Sequence, residues 1–247
     1  MTAVRSCVFN VLFLVWTALV LIACLPIVTS AATTRAGRVW ARVSLAMLRA
    51  ICGLHHEIRG LANLPPGHCI IASKHQSAWE TLIFPLLVNG PAFIYKRELR
   101  RIPLFGWYLT RAGCIPIDRD GGPKALRRMI EHARRSLARG CTIIIFPEGT
   151  RVAPGNRHPY HPGVAALYGQ LAVPVVPVAV NSGLYWGRRA FAKRPGRIVV
   201  EILPPIAPGL PRREFAAELE RRIEDASERL RAEGAATLQE AEKSTCG

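Results

Sequence analysis

From Gly60 onward the chain alternates short apolar, β-branched runs with helical patterns, and this alternation restricts its fold more than any other feature. The runs at 68–73 (HCIIAS), 92–95 (AFIY), 141–146 (CTIIIF), 173–180 (VPVVPVAV) and 197–203 (RIVVEIL) are bounded by Gly, Pro or Asn and predict strands. Helices are predicted at 79–88, 123–139, 163–171 and 213–232. The segment 123–139 is the clearest, opened by Gly121-Gly122-Pro123 and closed by Gly140. Its Leu126, Met129, Ile130, Ala133 and Leu137 make one apolar stripe. Strands apolar on both faces need cover on both sides, so the expected class is α/β, a mostly parallel mixed sheet flanked by helices. The residues after Gly234 are expected to be a flexible tail.

Ahead of this domain no charged residue occurs between Arg5 and Arg35, and residues 8–28 are almost entirely apolar. That length suffices to span a bilayer. A single Arg before it makes a poor signal-peptide n-region, and Pro26 leaves open a segment that folds back instead of crossing. Residues 34–54 follow as a basic amphipathic pattern, with Arg35, Arg38, Arg42 and Arg49 opposite Val39, Val43, Met47, Ala50, Ile51 and Leu54. Such a helix suits a headgroup layer; a core helix with a solvated Arg face is the competing assignment. Together they predict an N-terminal two-helix membrane-binding motif at 1–57, a catalytic-type domain at 58–235 and a tail at 236–247. The excess of Arg after the apolar run is expected to place the domain on the cytoplasmic side of the membrane.

Composition agrees with a folded, membrane-facing chain: half of the residues are hydrophobic, 20% are charged and the net charge is +16, which excludes disorder and calls for an anionic partner surface. Seven scattered cysteines without a Cys-x-x-Cys predict free thiols. His158 and His161, interleaved with prolines and lacking a third ligand, argue against a metal site.

Three segments carry reactive groups. After the first strand comes Ser73-Lys74-His75-Gln76-Ser77-Ala78-Trp79-Glu80, where a carboxylate one helical turn beyond a His can fix its tautomer and support it as a general base. A helix-capping role for Glu80 is the alternative. No nucleophile elbow accompanies them, so His75 would act on a substrate hydroxyl directly. Next, the strand at 141–146 ends in Phe146-Pro147-Glu148-Gly149-Thr150-Arg151, a loop at the carboxyl edge of the sheet whose Arg can grip phosphate, or else pair with Glu148. Last, Lys96-Arg97-Glu98-Leu99 opens a basic segment that leads through Pro103 and Gly106 to Ile117-Asp118-Arg119, or is simply a solvated basic face.

In this order and spacing, His75-x4-Glu80, Lys96-Arg97-Glu98-Leu99, Gly113 to Arg119, Phe146 to Arg151 and Val173-Pro174-Val175 resemble the glycerolipid acyltransferase family over residues 60 to 205. The likeness is to its bacterial 1-acyl-sn-glycerol-3-phosphate acyltransferases and implies a glycerol-3-phosphate acyltransferase-like fold. The family carries Asp where this chain has Glu80. The resemblance implies that His75 and Glu80 are catalytic, with His75 deprotonating the sn-2 hydroxyl of lysophosphatidic acid for attack on an acyl-CoA or acyl carrier protein thioester. It implies that Lys96, Arg97 and Arg151 bind the acceptor phosphate, with Glu148, Gly149 and Thr150 shaping the pocket, and that no metal or cofactor is used beyond the thioester co-substrate. Backbone amides after His75, or in the 148–150 loop, are the expected oxyanion donors. Phosphatidic acid would be the product, anionic membrane lipid the surface partner, and nucleic acid no partner. A different lysolipid acceptor such as lyso-ornithine lipid, a thioesterase or lysophospholipase, and a non-catalytic membrane-binding module are the alternatives.

Overall fold

The computed structural model describes residues 1–26, 29–118 and 121–246; the end of the apolar run and Arg119 lie outside them. Seven strands form one sheet: β1 (Leu54–Arg59), β2 (Ile70–Ser73), β3 (Pro91–Lys96), β4 (Ile115–Ile117), β5 (Thr142–Ile145), β6 (Val175–Val180) and β7 (Gly196–Ile202). Their order is β1-β7-β6-β2-β5-β3-β4, and every neighbouring pair is parallel except β6 with β7. This is the mostly parallel mixed sheet expected from the alternation.

The centre of the sheet is dry because its residues are apolar on both faces: β2, β5 and β6 are buried along their whole length. Ile70 sits between Ile143 and Val175 in register. One face is covered by α2 (Ser30–Cys52) and α3 (Glu80–Leu87), the other by α5 (Gly122–Ala138), α6 (Gly163–Leu171) and α7 (Arg212–Cys246), while the short α4 (Phe105–Arg111) packs against the segment after β3 and against α2. Phe215, Leu219, Ile223, Ala226 and Leu230 of α7 recur every three or four residues and are buried.

Three features depart from expectation. The edge strands β1 and β4 are additional: β1 (LHHEIR) is polar and partly exposed, and β4 is a three-residue Ile-Pro-Ile edge where a proline removes no needed ladder bond. The sheet therefore begins at Leu54, inside the segment assigned to the N-terminal helices. The C-terminal helix continues to Cys246 through Gly234, where a flexible tail was expected. A Cβ on Gly234 would stand 2.6 Å from Leu184 Cδ1, so the missing side chain lets α7 approach the turn after β6.

The N-terminal helices pack together. In α1 (Thr2–Ala23), Trp16 donates to the Trp40 carbonyl at 3.2 Å, and Trp40 donates to Thr17 Oγ1 at 3.0 Å. The base of α1 is held on the domain by Ser6, which accepts from the Lys193 amide at 2.9 Å, and by Phe9, edge-on to Trp186. The outer face of α1 remains apolar and exposed at Val4, Val11, Leu14, Val15 and Leu19. The pattern expected for the second helix is revised. Its buried face is Gly37, Ala41, Leu45, Leu48 and Cys52, whereas Val39 and Ala50 are exposed. Arg38, placed with the headgroup-facing arginines, instead turns inward and donates to the carbonyls of Pro85 and Val88 and to Asn89. It thereby caps the C-terminal end of α3. Arg35, Arg42 and Arg49 stay exposed.

Candidate active site

His75 stands just beyond the C-terminal end of the central strand β2, at the sheet edge where parallel α/β sheets place their ligands. Its backbone is clamped by the second motif loop: the His75 amide donates to Glu148 Oε2 at 3.0 Å, and the Val152 amide donates to the His75 carbonyl at 2.8 Å. The ring stacks on Phe146, with centroids 3.9 Å apart. Nδ1 lies 3.2 Å from Glu80 Oε2. With the proton on Nδ1 shared with that carboxylate, Nε2 is the free base.

Glu80 is fully buried and occupies the first turn of α3, whose N-terminal end favours an anion. It accepts from the amides of Gln76 at 3.2 Å and Ser77 at 3.0 Å and from the hydroxyl of Ser182. One carboxylate thus caps the turn and orients the imidazole, so the helix-capping and catalytic roles coexist. The longer Glu side chain reaches His75 without losing its amide donors. Glu80→Asp should keep most activity, whereas Glu80→Gln should lose about tenfold or more, because an amide cannot stabilise the imidazolium as a carboxylate does. Comparing the turnover of the two variants with wild type checks this.

Ser182 was not foreseen. It is 102 positions from Glu80, in the turn after β6, and only the pairing of β2 with β6 brings it there.

His75 opens into a cavity of about 710 Å³. Lys96, Gly149 and Arg151 line it together with an apolar set, Phe93, Tyr95, Phe105, Leu109, Leu126 and Met129. Thr34, Gly37 and Trp40 of α2 form one wall, so the second N-terminal helix borders the cavity directly. A Cβ on Gly37 would lie 2.1 Å from Tyr108 Oη, so any larger residue at that crossing would displace the Tyr108 side chain. Cys114 also lines the cavity, but burial pushes its thiol up to about 12, so it stays protonated and is no nucleophile.

The expected site residues separate into two groups. His75, Lys96, Gly149 and Arg151 face the cavity, with Glu80 directly behind His75. Gly149 adopts φ +64°, a left-handed conformation that glycine takes at no steric cost, and this turns the chain toward Arg151. Arg151 does not pair with Glu148; no carboxylate lies within ion-pair distance of it among the described residues. Burial pulls its guanidinium below the usual value, an environment that an arriving anion would relieve.

Arg97, Glu148 and Thr150 do not line this cavity. Arg97 pairs with Asp118 at 2.8 Å and faces a separate cleft. Glu148 points under the loop, where Lys74 Nζ meets its Oε1 at 2.7 Å and Glu224 at 2.8 Å. The amides expected to stabilise an oxyanion are largely committed. Those of Gln76 and Ser77 serve Glu80, that of Trp79 serves Ser77 Oγ, and that of Gly149 serves the Phe146 carbonyl.

Residues 55–181 match the family described as Acyltransferase. The 1-acyl-sn-glycerol-3-phosphate acyltransferase of Pseudomonas aeruginosa is 39% identical over 165 residues, covering 67% of this chain and 64% of the relative. The 1-acyl-sn-glycerol-3-phosphate acyltransferase alpha of Mus musculus is 32% identical over 170 residues, 67% of this chain and 60% of its own. The matched part is thus a little under two thirds of these relatives' length. The crystal structure of the 1-acyl-sn-glycerophosphate (LPA) acyltransferase PlsC from Thermotoga maritima superposes with a TM-score of 0.73 at 22% identity, over 94% of this chain and 98% of that one. It shares the fold. A His held by a buried carboxylate and lining a largely apolar cavity, in a chain whose residues 55–181 match that family, leads to one statement of kinship: this chain belongs to the acyltransferase family.

Proposed function

We propose that this protein transfers a fatty acyl group from an acyl thioester to the sn-2 hydroxyl of 1-acyl-glycerol 3-phosphate, giving phosphatidic acid. The observation that supports this is the pairing, in one largely apolar cavity, of a His held by a carboxylate with an Arg151 that has no ion-pair partner among the described residues. His75 Nε2 removes the hydroxyl proton as the oxygen attacks the thioester carbonyl; the tetrahedral adduct then expels the thiolate, and the imidazolium returns its proton to the sulfur. Glu80 stabilises that imidazolium. Water would give free fatty acid in place of ester, so an acceptor held by its phosphate at Lys96 and Arg151 favours transfer over hydrolysis.

Membrane attachment follows the same logic. The exposed apolar face of α1 and the exposed arginines of α2 suit anionic lipid, and α2 walls the cavity, so a lysolipid can enter from the leaflet without crossing water. With Ser6 and Phe9 docked on the domain, α1 is proposed to lie along the membrane surface; the excess of Arg after the apolar run supports a catalytic domain on the cytoplasmic side of an inner membrane. No metal or prosthetic group takes part in this scheme.

The test is acyl transfer from labelled acyl-CoA by purified, detergent-solubilised protein, offered lysophosphatidic acid, lysophosphatidylcholine, lyso-ornithine lipid and no acceptor in parallel. Labelled phosphatidic acid is expected. Label in another lipid would replace the acceptor, and label only in free fatty acid would indicate a hydrolase. In the same assay Arg151→Ala should raise the KM for lysophosphatidic acid about tenfold or more, the loss of one charge-assisted phosphate contact. An unchanged KM would remove Arg151 from the phosphate site.

A further inference from the structure

Beside the catalytic cavity lies a second cleft of about 650 Å³, between the segment after β3 and the outer face of α5. Arg97, Arg100, Lys124, Arg128 and Arg135 line it with His132, against a single carboxylate, Asp118, among the described residues. Asp118 also lines the catalytic cavity, so the two spaces share a rim at the Arg97–Asp118 ion pair.

We infer that this cleft binds the phosphate-rich nucleotide of a coenzyme-A-type acyl donor, an inference that rests on the acyl-transfer function proposed above. Lys124, Arg128, His132 and Arg135 fall on one face of α5, opposite its apolar stripe. At 1.5 Å per residue, Lys124 to Arg135 covers about 16 Å. Three cations, Lys124, Arg128 and Arg135, the last also paired with Glu131 at 3.3 Å, are spread over that length; this is more than one phosphate monoester needs, and it matches a ligand with separated phosphates: a diphosphate and a 3′-phosphate. Arg100, Lys124 and Arg128 have no carboxylate within ion-pair distance among the described residues. Mutual repulsion there is a cost that a polyanion removes. Burial and the neighbouring Arg135 and Arg100 push His132 below its ordinary value, a sign of the same positive field. The concavity favours a nucleotide over the face of an acidic carrier protein, which would need a broader platform. A donor seated here would extend its thioester arm across the Asp118 rim toward His75.

Lys124→Glu combined with Arg128→Glu tests this. Both side chains are exposed, and a glutamate suits the first turn of α5, so the fold should persist. Calorimetric binding of coenzyme A itself should weaken about tenfold or more, with the KM for palmitoyl-CoA rising in parallel and falling salt sensitivity. The KM for lysophosphatidic acid, and turnover of S-palmitoyl-pantetheine, which lacks the nucleotide, should not change. An unchanged affinity for coenzyme A, equal damage to the pantetheine thioester, or a defect confined to an acyl carrier protein donor would overturn the assignment. Should the wild type transfer no acyl group yet bind coenzyme A in a manner lost in the double variant, the proposed function fails and the cleft stands.

Discussion

His75→Ala should abolish acyl transfer, lowering turnover by about three orders of magnitude or more while leaving the fold and lipid binding intact. Among the described residues lining the cavity, His75 is the imidazole held by a carboxylate, and Cys114 stays protonated there. The cost to stability should be small. The ring is at the cavity surface, and its main structural contact is the stack on Phe146. The His75 amide and carbonyl, which bind Glu148 and Val152, persist in the variant. Turnover with saturating substrates, together with vesicle sedimentation and thermal melting, checks all three parts. A variant retaining wild-type turnover would remove His75 from the chemistry.

Lys74→Met should be the most destabilising single change among the residues near the site. Lys74 is 2% exposed and lies between two buried carboxylates, Glu148 on the 146–151 loop and Glu224 on α7, with Tyr160 donating to Glu224 at 3.0 Å. Among the described residues, Glu148 Oε1 has no partner besides this ammonium. Removing one member of such a cluster leaves unpaired buried charge and costs about 3–5 kcal/mol, a large share of a typical folding free energy. A chain of this size loses roughly 2–4 °C in Tm per kcal/mol, so the drop should be readily measured. Burial already holds the Glu148 carboxyl above its ordinary 4.5, against the pull of Lys74, and losing the ammonium raises it further. A carboxyl whose folded pKa lies above its unfolded value favours the folded state when protonated. The deficit should therefore be smallest at acidic pH and grow as pH rises through that folded pKa. Glu148→Gln in the same chain should recover part of the loss. A Tm within a degree or two of wild type at neutral pH would show that the cluster contributes little.

Much of this molecule was legible in the chain, and the parts that were not share a cause. The five buried strands and the helices at 122–138 and 163–171 stand out because burial on both faces, or along one stripe, demands a periodic apolar pattern. The edge strands β1 and β4 bury too little to impose one. The second helix sets a narrow arginine stripe beside a wide apolar arc, so periodicity could not show which part of that arc meets the domain, and Arg38 at the edge of the stripe went to the wrong partner.

The same division runs through the site. His75, Glu80 and Arg151 could be named from local order, since a His and a carboxylate within one helical turn meet wherever that turn forms. Ser182 on Glu80, Glu224 beneath the loop and the turning of Arg97 away from Arg151 depend on contacts across the sheet. Sequence alone determined the alternating architecture and brought His75 and Glu80 into one local turn, because these rest on short-range periodicity and spacing. Tertiary structure alone decided which cations share the cavity with that base and which form a second cleft, because side-chain direction at a strand end is set by the neighbours it packs against.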